Sequence, residues 1–210
     1  MARKGTFRRR LAGTIVVAFA ATALAVPAAN ADLIGSLLGG NCPSGGTQVF
    51  APWGDFASYF LAPNGGLENG STGWSLSGAS VVGGNEPFLP TGTHSLSLPS
   101  GTSALSPVTC IGPKSVALRM FGSDAHGTDG GLRVRVRWYG LLNQLLGITD
   151  YGVFKPGGGW APTNSVNSIG GLNLLVPLLG STSARVELTP VGSGSNWRID
   201  DLYIDPWLTS

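Results

Sequence analysis

Two stretches of the chain alternate strictly between apolar and polar residues. In LRVRVRW, Leu132, Val134, Val136 and Trp138 fall on one face and Arg133, Arg135 and Arg137 on the other. In ARVELTP, Val186 and Leu188 oppose Arg185, Glu187 and Thr189. A period of two marks a strand with one buried face, and one buried face suits an antiparallel sheet. Six further strand-like pieces, WSLSGASVV, THSLSLP, ALSPVTCI, SVALRMFGSDA, YGVFKPG and WRIDDLYIDP, are separated by Gly, Pro and Asn. Short strands at this spacing predict an all-β chain, a two-sheet antiparallel β-sandwich of jelly-roll type. Trp74, Trp138 and Trp197 read as plugs of its interior.

Two leucine-rich segments interrupt the pattern, Gly140 to Ile148 and Gly170 to Gly180. Leu141, Leu142, Leu145 and Leu146 have helical spacing, although the first segment equally continues its strand, and Pro177 limits the second to about two turns. The expectation is a sandwich with short helical insertions, whose leucines are either core or an association patch. Ahead of the strands, TQVFAPWGDFASYFLAP is apolar and aromatic, with Pro52 and Pro63 limiting regular structure and Asp55 placed to cap a helical turn. It is expected to pack across the sheet edges.

The amino terminus reads Arg3, Lys4, then Arg8, Arg9 and Arg10, an apolar run from Leu11 to Val26, and Ala29-Asn30-Ala31. A cationic head, a short apolar segment and small residues before a cut form a secretory signal peptide. The expected organisation is a signal peptide over 1–31, a leader and edge-packing segment over 32–62, and the sandwich over 63–210. Removing those five cations from the 13 Lys and Arg leaves 8 against 11 acids, a net charge of about −3. Nucleic acid is thereby excluded as a partner, since it requires surplus cations, and no membrane association is expected after cleavage. The expected location is extracellular or at the cell surface. There, the two cysteines, Cys42 and Cys110, are expected to form one disulfide, worth roughly 4 kcal/mol by the loop it closes.

The segment NGGLENGSTGW places Glu68 between Asn64-Gly65 and Asn69-Gly70, both suited to tight reversal. The far end of the chain offers Asp200, Asp201 and Asp205. If the first and last strands are neighbours, these carboxylates converge, and hard oxygen ligands completed by turn carbonyls suit calcium. The pairing of PNGGLENGSTGWSLSGASVV with WRIDDLYIDP resembles the galactose-binding-like jelly-roll domains of carbohydrate-binding modules, over roughly Pro63 to Pro206. LAPNGGLE, GNEPF, GGGWAPT and IDDLYIDP are also similar to parts of a group of small secreted bacterial proteins. The resemblance implies a structural calcium held by Glu68 with Asp200 or Asp201, and a polysaccharide or cell-wall glycan as partner.

Catalytic chemistry is not expected. His94 and His126 are the only histidines, no G-x-S-x-G is present, and GGGW is followed by Ala-Pro-Thr rather than a phosphate-binding Lys-Ser. The first functional reading is a non-catalytic glycan binder using Trp160, Trp53, Tyr59 or Trp207 beside Asn85 or Asn164, with Trp160 favoured because three glycines leave its ring unshielded. The second is a structural or adhesive surface protein acting through its leucines; the sequence leaves its oligomeric state open. The row Arg133, Arg135, Arg137 is expected to be a solvated face paired with acids such as Glu187, with an anionic polymer as the rival reading.

Overall fold

The computed structural model describes residues 46–111, 116–125, 130–140, 142–155, 157–167 and 181–205. The signal segment, Cys42, His126, the second leucine-rich segment and Trp207 lie outside these residues.

The strands in chain order are β1 (Phe60–Leu61), β2 (Ser75–Ser77), β3 (Ser80–Gly83), β4 (His94–Pro99), β5 (Ser103–Leu105), β6 (Thr109–Cys110) and β7 (Ala117–Asp124). They continue as β8 (Gly131–Gly140), β9 (Leu145–Phe154), β10 (Ala161–Pro162), β11 (Val166–Asn167), β12 (Ser181–Val191) and β13 (Asn196–Asp205). One sheet has seven strands in the order β10-β7-β13-β4-β3, with β1 beside β13 and β11 beside β7; the other has six, β2-β5-β12-β8-β9, with β6 beside β12. The two-sheet antiparallel sandwich is as the alternation requires. The piece WSLSGASVV is not one strand: after β2, Gly78 takes a φ of +72° and the chain crosses to β3 in the other sheet.

The inner faces make the core. Leu96, Leu98, Leu118, Met120, Trp197 and Ile199 meet Leu132, Val134, Val136, Trp138, Val186 and Leu188. Trp74, Trp138 and Trp197 are buried plugs, and the Trp138 indole donates to Thr149 Oγ1 at 2.9 Å. Desolvating side chains of this size supplies the main force closing the sandwich.

Over its described residues the first leucine-rich segment is a turn followed by β9, with no helix; Leu142, Leu145 and Ile148 are exposed. Helical spacing yields here because β8 supplies a ten-residue edge to pair with. Two register shifts interrupt that pairing, a feature that discourages further strand addition at the sheet edge. On the outer side of this sheet Arg137 pairs with Glu187 at 3.0 Å and Arg133 with Asp150 at 3.5 Å. Arg135 lies between those two acids in register.

The segment before β1 does not lie along the sheet edges. It crosses the outer face of the seven-stranded sheet, where Phe50 and Tyr59 join Ala117 and Phe121 in a second buried cluster. Its one helical turn, Ala51–Trp53, has no side-chain cap. Asp55 is drawn elsewhere: it accepts the Ala57 amide at 3.1 Å, the Tyr59 hydroxyl at 2.8 Å and the Arg119 guanidinium at 2.7 Å.

Candidate functional site

The outer face of the seven-stranded sheet carries the described aromatic surface. Because Leu118 and Met120 point into the core, alternation turns Arg119 and Phe121 outward. Phe121 packs on Phe50 with ring centroids 5.4 Å apart. Above it, Trp53 and Phe88 meet edge to face at 5.2 Å, and each stands 5.5 Å from Phe121. Trp53 and Phe88 remain 38% and 42% exposed. Contacts of this geometry hold aromatic rings in place, so the pair is a fixed apolar platform.

Polar groups flank the platform. Arg198 on β13 faces outward opposite Ser97 and Ser123. Its guanidinium is fixed by Ser95 Oγ at 3.0 Å and Gly83 O at 2.8 Å. Asn85 is not among these flanking groups, since its Oδ1 is buried close to Gly92 and offers no surface to a ligand. A rigid aromatic pair next to directed donors and acceptors suits a ligand with one apolar face and hydroxyl edges.

The sequence-selected residues separate clearly. Trp53 is on the platform, and Trp160, half-buried, packs against the same aromatic cluster. Tyr59 is only 1% exposed, edge-on to Phe50, with its hydroxyl on Asp55 and 3.2 Å from Ser165 Oγ. It is therefore a core residue with no face for a ligand, and burial, with the Asp55 carboxylate adding to it and outweighing the opposing Ser165 contact, lifts its pKa to about 12. Phe88, Phe121 and Arg198 were not legible as site residues. GNEPFLP shows one aromatic among turn formers, and Arg198 sits in a stretch read for its acids.

The turn segment behaves as an Asn64-centred unit. Asn64 Nδ2 donates to the carbonyls of Gly70 and Thr72 at 2.9 and 3.0 Å, its Oδ1 accepts the Asn69 amide at 3.1 Å, and its carbonyl accepts the Trp74 indole at 2.9 Å. Buried Leu67 is forced to a φ of +61°. Glu68 faces the neighbouring loop, taking the amides of Thr93 and His94 at 2.8 and 2.9 Å and the Thr93 hydroxyl at 2.9 Å. Those bonds, the Thr93 amide first, lower its pKa to about 2.

The terminal strands are neighbours as expected: β1 pairs with β13, and Leu202 exchanges backbone hydrogen bonds with Ala62 and Gly65. A register shift between Asp200 and Tyr203 places Asp201 at a φ of +46°. It lies against the 65–66 turn, where a Cβ on Gly66 would come within 2.8 Å of Asp201 Oδ1. Asp200 is 0% exposed, with Oδ1 accepting the Asp201 amide at 2.8 Å and Oδ2 the Glu86 amide at 3.3 Å. Asp201 is 5% exposed, and its Oδ2 has no hydrogen-bond partner. Glu86, unremarked in the sequence, is buried beside them and accepts the amides of Phe88 and Leu89. Among the described residues no group of three or more His, Cys, Asp or Glu side chains is gathered to hold a metal ion. A cation at Asp201 would thus depend on backbone carbonyls for much of its shell.

Burial, then the neighbouring Asp201 charge, pushes Asp200 up to about 8; burial, then the charges of Glu86 and Glu68, pushes Asp201 up to about 6.

No protein-family model matches the chain, and no curated protein matches it. Among solved structures, the chain is similar to the enzymatically active domain of bacteriophage CBA120 tailspike protein 4, at 13% identity, covering 69% of this chain and 21% of that one, TM-score 0.49. It is similar to TmCBM61 in complex with β-1,4-galactotriose, at 16% identity over 69% and 97% of the two chains, TM-score 0.48. A third is the Clostridium thermocellum endo-1,4-β-D-xylanase 10B CBM22-1–GH10 modules complexed with xylohexaose, at 14% identity over 70% and 28%, TM-score 0.48. The chain spans about a fifth of the tailspike domain and just over a quarter of the xylanase modules. Similarity at this level concerns the sandwich architecture, not what is bound.

The acid pair generates a pH prediction. A carboxyl whose folded pKa lies above its unfolded value, about 3.9 for Asp, holds a proton that the unfolded chain has released, so stability falls as pH rises through that interval. In chelator-treated buffer, the melting temperature should fall between pH 5 and pH 8, and Asp201→Asn should flatten the lower part of that decline. A melting temperature that rises over the same range in chelator would contradict the assignment.

Proposed function

We propose that this chain is a secreted, non-catalytic glycan-binding protein whose platform is Trp53 and Phe88, with Trp160 at its margin. The observation that carries the reading is the exposed ring pair, fixed over Phe121 and bordered by Arg198, Ser97 and Ser123. Sugar rings present an axial C–H face to aromatic rings and hydroxyls to flanking polar groups, so this surface matches their chemistry. Association through β9 has less support: its exposed Leu145, Ile148 and Val153 lie on a strand with two register shifts in its pairing.

Two elements accompany the proposal. A Cys42–Cys110 bridge ties the leader to β6; Cys110 is described and Cys42 is not, and no free cysteine occurs among the described residues. A structural calcium is supported by the lone buried Asp201 Oδ2 and the closeness of Gly66. Asp201 would hold the ion together with turn carbonyls. Asp200 and Glu68 already serve backbone amides, so Asp201 replaces them as the principal side-chain ligand. A divalent charge there would offset the repulsion among Asp201, Asp200 and Glu86.

Three outcomes follow. In affinity electrophoresis against a panel of neutral polysaccharides, the wild type is retarded by at least one, and Trp53→Ala with Phe88→Ala loses at least tenfold in affinity while its melting temperature stays within a few degrees. No retardation of the folded wild type on any polysaccharide would remove the reading. Calcium raises the melting temperature of the wild type and not of Asp201→Asn; absence of bound metal by elemental analysis, with no calcium response, would remove the ion. Intact mass of protein secreted by its own host rises by two mass units on reduction, and an unchanged mass would exclude the bridge.

A further inference from the structure

We propose that the cleft between the open edges of the two sheets is a second binding site, separate from the aromatic platform, and that it takes an anionic sugar unit, a polyhydroxylated ring bearing one carboxylate or sulfate. The cleft has a volume of about 560 Å³, within the roughly 300–1,000 Å³ common for small-molecule sites. Tyr151, Val153, Phe154 and Lys155 line it from the six-stranded sheet, while Ala161 to Ser165 line it from the seven-stranded one, together with Trp197 of β13.

Hydrogen-bonding capacity decides the ligand class. Three of the polar linings are already engaged: Tyr151 donates its hydroxyl to Val116 O at 2.9 Å, Thr163 Oγ1 accepts the Met120 amide at 3.1 Å, and Ser165 Oγ lies 3.2 Å from the Tyr59 hydroxyl. Two others, the Lys155 ammonium and the Asn164 amide, are exposed and have no hydrogen bond or ion pair among the described residues. Both supply N–H donors, and only Asn164 supplies an acceptor as well. Among the described residues no Asp or Glu lines the cleft. The cleft therefore favours a ligand rich in acceptors and negatively charged, while Tyr151 and Phe154 offer apolar surface to the C–H side of a sugar ring.

The fixed geometry of the 163–165 wall supports the assignment. The Arg119 guanidinium donates to Thr163 O at 2.8 Å, and Thr163 N donates to Met120 O at 2.8 Å, so Asn164 projects from a braced segment.

Isothermal titration of the purified chain with glucuronic acid, galacturonic acid and glucose 6-sulfate, against glucose and galactose, tests the proposal. At least one anionic sugar should bind at least tenfold more tightly than its neutral counterpart, and the uronate and sulfate arms identify which anion is preferred. Lys155→Ala should cost about tenfold, the size of one charge-assisted hydrogen bond, and Asn164→Ala should also weaken binding. Trp53→Ala with Phe88→Ala should leave it unchanged, so that failure of this site and failure of the platform are read separately. Lys155 and Asn164 are exposed, and circular dichroism verifies that their variants fold. The proposal is overturned if no anionic sugar binds the folded wild type, if anionic and neutral sugars bind alike, if neither Lys155→Ala nor Asn164→Ala changes binding, or if binding is instead lost with the platform variant.

Discussion

Arg119 carries a full charge on a side chain that is almost wholly buried, and the surfaces of the seven-stranded sheet are arranged around satisfying it. Its guanidinium reaches Asp55 at 2.7 Å and Thr163 O at 2.8 Å, and its carbon lies 4.2 Å from the centre of the Phe50 ring. Burial alone would raise the Asp55 pKa, but the Ala57 amide, the Tyr59 hydroxyl and Arg119 together outweigh it and hold the carboxyl below its ordinary value. A buried ion pair does not by itself guarantee stability, yet removing one partner strands the other, at about 3–5 kcal/mol. One residue thus fastens the segment bearing Trp53 to the sheet and braces the wall bearing Asn164. The aromatic platform and the edge cleft share this support, although their lining residues are different.

The opposite electrostatic condition holds at the β1–β13 junction. Glu86, Asp200 and Asp201 are buried together, and the bonds that Asp200 and Glu86 accept come from backbone amides, which carry only partial positive charge. The strand register shift at Asp200 and the close approach of Gly66 put Asp201 where the first and last strands meet. Hydrogen bonding can satisfy the oxygens of Asp200 but cannot cancel the charge, which is why protonation or a bound cation matters there and not at Glu68, whose side chain remains 44% exposed.

The fold was legible because alternation is a local property. LRVRVRW and ARVELTP fell in one sheet as adjacent β8 and β12, and three tryptophans became core plugs. The site was less legible because it depends on contacts far apart in sequence. Trp160 was readable as an unshielded ring and Trp53 as a candidate contact, and both reach one cluster; Tyr59 was a candidate too but is consumed by Asp55 and Ser165. Phe88 and Arg198 gave no local signal, since one needs Phe121 beneath it and the other needs Ser95 and Gly83 across the sheet. The leucines after Gly140 fitted helical spacing and a continued strand alike, and the edge of β8, invisible to a local reading, decides for the strand. The arginine row was legible in kind: Glu187 is a partner as expected, while Asp150 required the β8–β9 register.

The dependence of both surfaces on Arg119 can be examined directly by native-state hydrogen exchange on Arg119→Ala. Selective loss of protection at the amides of Thr47, Tyr59 and Thr163, which bond to Tyr59 O, Thr47 O and Met120 O, is the predicted result, with the β4–β13 ladder through Leu96 and Ile199 still protected. Unchanged exchange at those three amides, or uniform loss of protection across both sheets, would contradict the account of Arg119 as a local clamp.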